Sequence, residues 1–288
     1  MVRLRSEGAV KLPGAKRFRL QTGDDGDWEL SVFLPSDELR DSRTLMPTLY
    51  VLDASHTFVV TAQVVSTLLS FSLGQLQPFA VVGLDRCANN AAEFAARRVR
   101  DLTPTVFVPP HFEGKSSFGT GGGEATLDLI EEVVAPRLEQ RLPLDPGQRG
   151  LAGISLGGLL ACWSAVTRPG SFTRYMAVSP SLWWDDHLLL DDVRAGALPG
   201  AGADSHVYLA AGEMEDDPAR SWPRVPDELI EQFRDLKLVT DTRRFADKLR
   251  VLGWNRVTFD VIAGASHATV WPAAMLRGVI ALYGTSPV

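Results

Sequence analysis

The stretch R149-G-L-A-G-I-S-L-G-G158 joins a short apolar run to an Ala- and Leu-rich run that continues to about residue 167. Residues 149–155 suit a strand buried on both faces of a sheet, and 157–167 suit a helix. At the junction stands Gly153-Ile154-Ser155-Leu156-Gly157, a G-x-S-x-G spacing. The spacing has a physical cause. A Ser lifted out of a sharp strand-to-helix turn brings the residues two before and two after it against backbone, so both positions favour Gly. Its hydroxyl then stands at the N-terminus of the helix, where the dipole and the free N–H of Leu156 face a developing negative charge. A chain of this length meets such a pattern by chance roughly 0.1 times, so its context decides its meaning.

Working outward, similar apolar runs recur at 48–53 (TLYVLD), 79–85 (FAVVGLD), 175–180 (YMAVSP), 206–212 (HVYLAAG) and 256–264 (RVTFDVIAG). Helical patterns lie between or after them at 58–73, 124–141, 236–252 and 270–283. Residues 17–34 read as two strands around the polar turn Gly23-Asp24-Asp25-Gly26. Strands alternating with helices imply an α/β fold, with a mostly parallel sheet, helices on both faces and an N-terminal antiparallel hairpin. No repeat or linker interrupts the pattern, so residues 1–288 are read as one domain. Two loop insertions, near 86–123 and 213–235, do not fit the alternation. Both follow strand C-termini, the edge where open α/β sheets place their sites.

A nucleophilic Ser needs a base, and this topology orders the partners Ser, acid, His. The chain has five His. His56 and His111 precede Ser155. His187 follows a Trp pair with no strand before it, and His206 opens a strand at its N-terminal end. His267 follows the last strand by a short loop and precedes a helix, so it is the candidate base. The acid belongs in the loop after 206–212, which reads Gly212-Glu213-Met214-Glu215-Asp216-Asp217. Glu215 is preferred, with Glu213 and Asp216 as alternates, and a Ser-His dyad is the remaining option. A second oxyanion donor is expected in the loop after TLYVLD, from the backbone N–H of Ser55 or, alternatively, Ala54. Trp183 and Trp184 follow YMAVSP at the same sheet edge and are candidate walls of the substrate pocket. Trp222, in the acidic insertion, is a candidate lid residue.

The composition is that of a folded chain, 45% hydrophobic. A net charge of -6 and a pI near 5.4 give no drive toward nucleic acid. No run of 18 apolar residues suggests membrane insertion, and no apolar segment follows the basic N-terminus. Cys87 and Cys162 suggest no disulfide framework, so a cytoplasmic location is expected. No metal or other cofactor is expected, because the His residues are scattered without ligand spacing. A small-molecule ester is the expected partner, with the oligomeric state open.

Several segments together resemble a known family. They are PTLYVLDASHTF (47–58), AVVGLD (80–85), RRVRDLTP (97–104), GTGGGEATLDLIEEVVAPRLEQRL (119–142), GISLGG (153–158), AVSPSLWW (177–184), LAAGEMED (209–216) and GASHATVWPAAM (264–275). In this order they resemble the putative esterase family of α/β-hydrolases, in its enterochelin esterase-like and esterase D-like branch. The resemblance implies the α/β-hydrolase fold and ester hydrolysis through an acyl-enzyme. It also implies Ser155 as nucleophile, His267 as base, an acid in Glu213–Asp216 and an oxyanion hole at the Leu156 and Ser55 amides. Many relatives carry Asp-Gly where this chain has Asp53-Ala54, and Ala lacks the conformational freedom of Gly there. The expectation is therefore a serine carboxylesterase. A siderophore (enterochelin-type) esterase is an alternative; an acyltransferase and a catalytically silent binding protein are alternatives of another class.

Overall fold

A computed structural model describes residues 11–23, 26–39, 43–71, 74–109, 117–191, 202–221, 224, 230–231 and 236–285. The hairpin-turn residues Asp24 and Asp25, His111 and the lid candidate Trp222 lie outside them. Eight strands form one sheet in the order β1-β2-β4-β3-β5-β6-β7-β8. They are β1 (Ala15–Leu20), β2 (Trp28–Phe33), β3 (Met46–Leu52), β4 (Ala80–Arg86), β5 (Leu144–Ile154), β6 (Arg174–Val178), β7 (His206–Gly212) and β8 (Arg256–Ile262). β1 pairs antiparallel with β2, and β2 antiparallel with β4. The strands from β4 across to β8 are parallel.

The apolar runs are continuous because the central strands are covered on both faces. Successive residues point to opposite sides. Tyr50, Leu52, Val82, Leu84, Leu151, Tyr175, Ala177 and Leu209 enter one core. Leu49, Val51, Val81, Ala152, Met176, Val178 and Tyr208 enter the other. The first core is covered by α2 (Ala91–Leu102), the segment α3 (Gly123–Asp128) to α4 (Ala135–Glu139), α5 (Leu156–Thr167) and α8 (Leu238–Val251). The second is covered by α1 (Ala54–Phe71) and α9 (Val270–Tyr283). Between β6 and α8, the short helices α6 (Trp184–Asp191) and α7 (Pro218–Ser221) sit beyond the C-terminal ends of the strands.

Two departures from the sequence pattern have local causes. The stretch 86–123 is not loop throughout, because α2 occupies its middle. Asn90 starts that helix by accepting the Glu93 amide at 2.9 Å, and the Glu93 carboxylate returns to the Asn89 amide at 2.9 Å. These reciprocal caps satisfy N–H groups the helix leaves open. The helix over 124–141 is also not uniform. Residues Leu129–Val134 widen into a π-helical segment between α3 and α4. In addition, α1 reaches 18 residues at a mean hydropathy of 1.2, enough by length and composition for a membrane span. Its buried face, from Ala54 through Phe58, Ala62 and Val65 to Leu69, accounts for that hydropathy by packing onto the second core.

Candidate active site

Ser155 sits between β5 and α5 at φ 58°, ψ -119°, a strained conformation for a residue with a side chain. Three contacts fix it there. Its amide donates to the Val178 carbonyl at 3.0 Å, its carbonyl accepts the Ser181 amide at 3.1 Å, and its Oγ lies 3.3 Å from Ser181 Oγ. Space demands glycine at 153 and leaves little room at 157 and 158. A Cβ on Gly153 would lie 2.3 Å from the Gly157 carbonyl carbon, and one on Gly158 would lie 3.1 Å from Pro180 Cα. Leu156 is the first residue of α5. Its amide therefore belongs to the turn whose N–H groups have no partner within the helix.

The structure separates the acidic candidates by what each touches. Glu215 is buried, and its Oε1 lies 2.6 Å from His267 Nδ1. Its Oε2 accepts the Ser179 hydroxyl and the Gly212 amide, both at 2.6 Å. Glu213 instead accepts the Gly264 amide at 2.8 Å. Asp216 turns away and accepts the Val239 amide at 2.7 Å and the Thr240 hydroxyl at 2.6 Å, capping α8. The two loops are also joined through their backbones. Glu213 donates to the Ile262 carbonyl at 3.0 Å and Met214 to Ala265 at 3.1 Å. This joining holds the loop carrying Glu215 against the loop carrying His267.

The other described histidines are engaged elsewhere. His56 Nδ1 lies 3.1 Å from Ser55 Oγ, His187 pairs with Asp241 at 3.3 Å, and His206 pairs with Arg256.

Two expectations are corrected. The Ser55 amide donates to Asp85 Oδ2 at 2.5 Å, and the Ala54 amide also faces that carboxylate. The N-terminus of α1 is thus spent on an internal anion, so neither amide is placed as the second oxyanion donor. Trp184 is only 1% exposed, and its Nε1–H donates to Thr105 Oγ1 at 3.0 Å. It packs edge-on against Phe107, as core rather than pocket wall. Trp183 is half-buried beside it and keeps partial exposure.

Four arginines, Arg86, Arg97, Arg98 and Arg100, stand at the end of β4 and in α2. The structure pairs each of them. Arg86 and Arg100 hold Asp101, Arg97 holds Glu93, and Arg98 grips both oxygens of Asp53 at 2.6 and 2.8 Å. Asp53 stands at φ 58° at the end of β3, beside the elbow helix, within 3.3 Å of a Cβ built on Gly157. The signal for that pair was present as RRVRD, but its partner 45 residues earlier was not readable.

Burial pushes the Asp85 carboxyl up from 3.8 to about 6, against the opposing pull of the Ser55 amide. Between those values the folded state binds more protons than the unfolded one. This group therefore favours folding below about pH 4, and that contribution is lost as pH rises through 6. Asp85→Asn keeps an acceptor for Ser55 without the charge. It is expected to stabilise the protein by about 2 kcal/mol at pH 7.5 relative to its effect at pH 4. Thermal unfolding of both proteins at the two pH values checks this; an equal Tm difference at both would contradict it.

A strained Ser at the head of a helix, with a carboxylate-held His at the far end of the same sheet edge, is the arrangement of an α/β-hydrolase. The chain belongs to the family described as "Putative esterase", whose model matches residues 25–282. Among curated relatives, the siderophore triacetylfusarinine C esterase of Aspergillus fumigatus is 26% identical over 295 residues, covering 96% of each chain. Ferri-bacillibactin esterase BesA of Bacillus subtilis is 25% identical over 292 residues, covering 98% of this chain and 94% of the relative. Among solved structures, the siderophore hydrolase EstB from Aspergillus nidulans matches with a TM-score of 0.73 at 27% identity, covering 98% and 99% of the two chains. The protein is accordingly an esterase of the α/β-hydrolase type.

Proposed function

We propose that the protein hydrolyses ester bonds of a siderophore through an acyl-enzyme on Ser155, with His267 as base and Glu215 as acid. The observation carrying the site assignment is the buried Glu215, one oxygen on His267 and the other on two donors. That arrangement fixes the imidazole tautomer with Nε2 as acceptor and stabilises the imidazolium formed later. Ser155 Oγ then attacks the ester carbonyl as His267 takes its proton. The Leu156 amide receives the oxyanion, and the imidazolium gives its proton to the leaving alcohol. Water repeats the sequence on the acyl-enzyme. No metal or cofactor takes part in this scheme.

The substrate class is supported by the relatives acting on siderophores and matching nearly end to end. Trp183 is proposed as a wall of the pocket, since its ring keeps partial exposure next to the turn that touches Ser155. A cytoplasmic location is supported by Cys87 and Cys162 both being free thiols.

The test is incubation with triacetylfusarinine C and with bacillibactin, each with and without iron, followed by mass analysis of the products. Stepwise addition of water with release of the hydroxy-acid units is expected for at least one of them. Turnover of p-nitrophenyl butyrate with neither siderophore cleaved would reject the substrate class and leave the esterase chemistry standing.

A further inference from the structure

The sheet order puts β6 between β5, which ends at the nucleophile, and β7, which ends at the acid. The turn leaving β6 adjoins both. That turn is Ser179-Pro180-Ser181, and its two hydroxyls divide between the neighbours. Ser179 is fully buried at φ 44°, and its amide donates to the Ala210 carbonyl of β7 at 2.7 Å. Its hydroxyl donates to Glu215 Oε2 at 2.6 Å. Ser181 is 2% exposed, and its Oγ lies 3.3 Å from Ser155 Oγ while its amide holds the Ser155 carbonyl. A Ser at φ 44° is uncommon, since Gly or Asn suits that region better, so the hydroxyl and not the backbone accounts for Ser at this position.

We propose that Ser179 is a positioning residue acting through Glu215, and that Ser181 is a catalytic residue donating its hydroxyl to Ser155 Oγ. The proposal rests on the Ser155–His267–Glu215 assignment. A carboxylate removed from water needs donors on both oxygens to offset its lost hydration and to hold its orientation. Ser179 and Gly212 supply two of them to Oε2, which leaves Oε1 for the imidazole. On the other side, a hydroxyl donated to Ser155 Oγ leaves the proton of Ser155 free to pass to His267. The same donor stabilises negative charge as it develops on that oxygen, before the bond to the carbonyl carbon forms. One rigid turn thus sets the two ends of the proton path.

The test measures kcat, KM and the rate of inactivation by a fluorophosphonate, using p-nitrophenyl butyrate as substrate and Tm as a folding control. Ser179→Gly suits the positive φ and removes the hydroxyl. It is expected to lower kcat roughly ten- to hundredfold with KM unchanged, since a hydrogen bond to a charged group is lost. In a Glu215→Ala background the same change should cost nothing further, because its partner is gone. Ser181→Val and Ser181→Thr have matched shape. The Val variant should slow both kcat and inactivation about tenfold, and the Thr variant should restore them. Equal cost of Ser179→Gly in both backgrounds, or equal rates for the Val and Thr variants, overturns the corresponding half of the proposal. Full activity in Ser155→Ala would instead overturn the underlying site assignment, so the two failures are distinguishable.

Discussion

Ser155→Ala is expected to lower ester hydrolysis by at least about 10⁴-fold and to abolish covalent labelling by a fluorophosphonate. The size of the loss follows from the mechanism. Without the nucleophile, only binding and oxyanion stabilisation remain, and these leave a residual catalysis far below the covalent route. The fold should survive the change. Ala keeps the backbone contacts of Ser155 to Val178 and Ser181, and loses one hydroxyl contact of 3.3 Å. Intact-protein mass after probe treatment, with thermal unfolding as a control, reads the outcome. A modified alanine variant, or one with wild-type turnover, would place the nucleophile elsewhere.

Glu215→Gln should have the second largest effect, about a 10³- to 10⁴-fold loss in kcat with KM little changed. Gln fills the same volume, but it can turn an NH₂ toward His267 Nδ1. That favours the wrong tautomer, in which Nε2 carries the proton and cannot receive one from Ser155. Glu213→Gln and Asp216→Asn should leave kcat near wild type, because those carboxylates serve Gly264 and the start of α8. Asp216→Asn is expected to cost roughly 1 kcal/mol of stability through the weakened cap. Steady-state kinetics on the three variants separates these outcomes. Wild-type kcat in Glu215→Gln would leave Ser155 and His267 working as a dyad.

Much of this was legible because the relevant signals are local. Continuous apolar runs such as TLYVLD and HVYLAAG reported strands covered on both faces, and the glycines around Ser155 reported a turn with no room for side chains. His267 was readable from its order after the last strand. The choice among Glu213, Glu215 and Asp216 favoured Glu215 by spacing, but spacing does not say where each neighbour points; the partners that tell them apart, Gly264, His267 and Val239, lie 23 to 52 residues away. The Ser55 amide failed as an oxyanion donor for a similar reason. Asp85 ends a different strand, and only the parallel pairing of β3 with β4 brings its carboxylate to the head of α1. Ser179 and Ser181 were visible within AVSPSLWW as a family pattern, yet no periodicity assigns a hydroxyl to a partner across the sheet.

The cap that Asp216 places on α8 also acts as a tether. Asp216 and Thr240 meet directly, and Lys237 Nζ also donates to the Asp216 carbonyl at 3.2 Å. The chain leaving Asp216 and the chain entering α8 are therefore fastened at one point, a single residue past the acid. The first turn of the chain leaving Asp216 is tied back as well, since Ser221 donates its hydroxyl to the Met214 carbonyl at 2.8 Å. The loop that carries the acid is thus tethered on both sides, to the His267 loop before Glu215 and to the start of α8 after it, so a change in the chain beyond Asp216 is buffered before it reaches the acid.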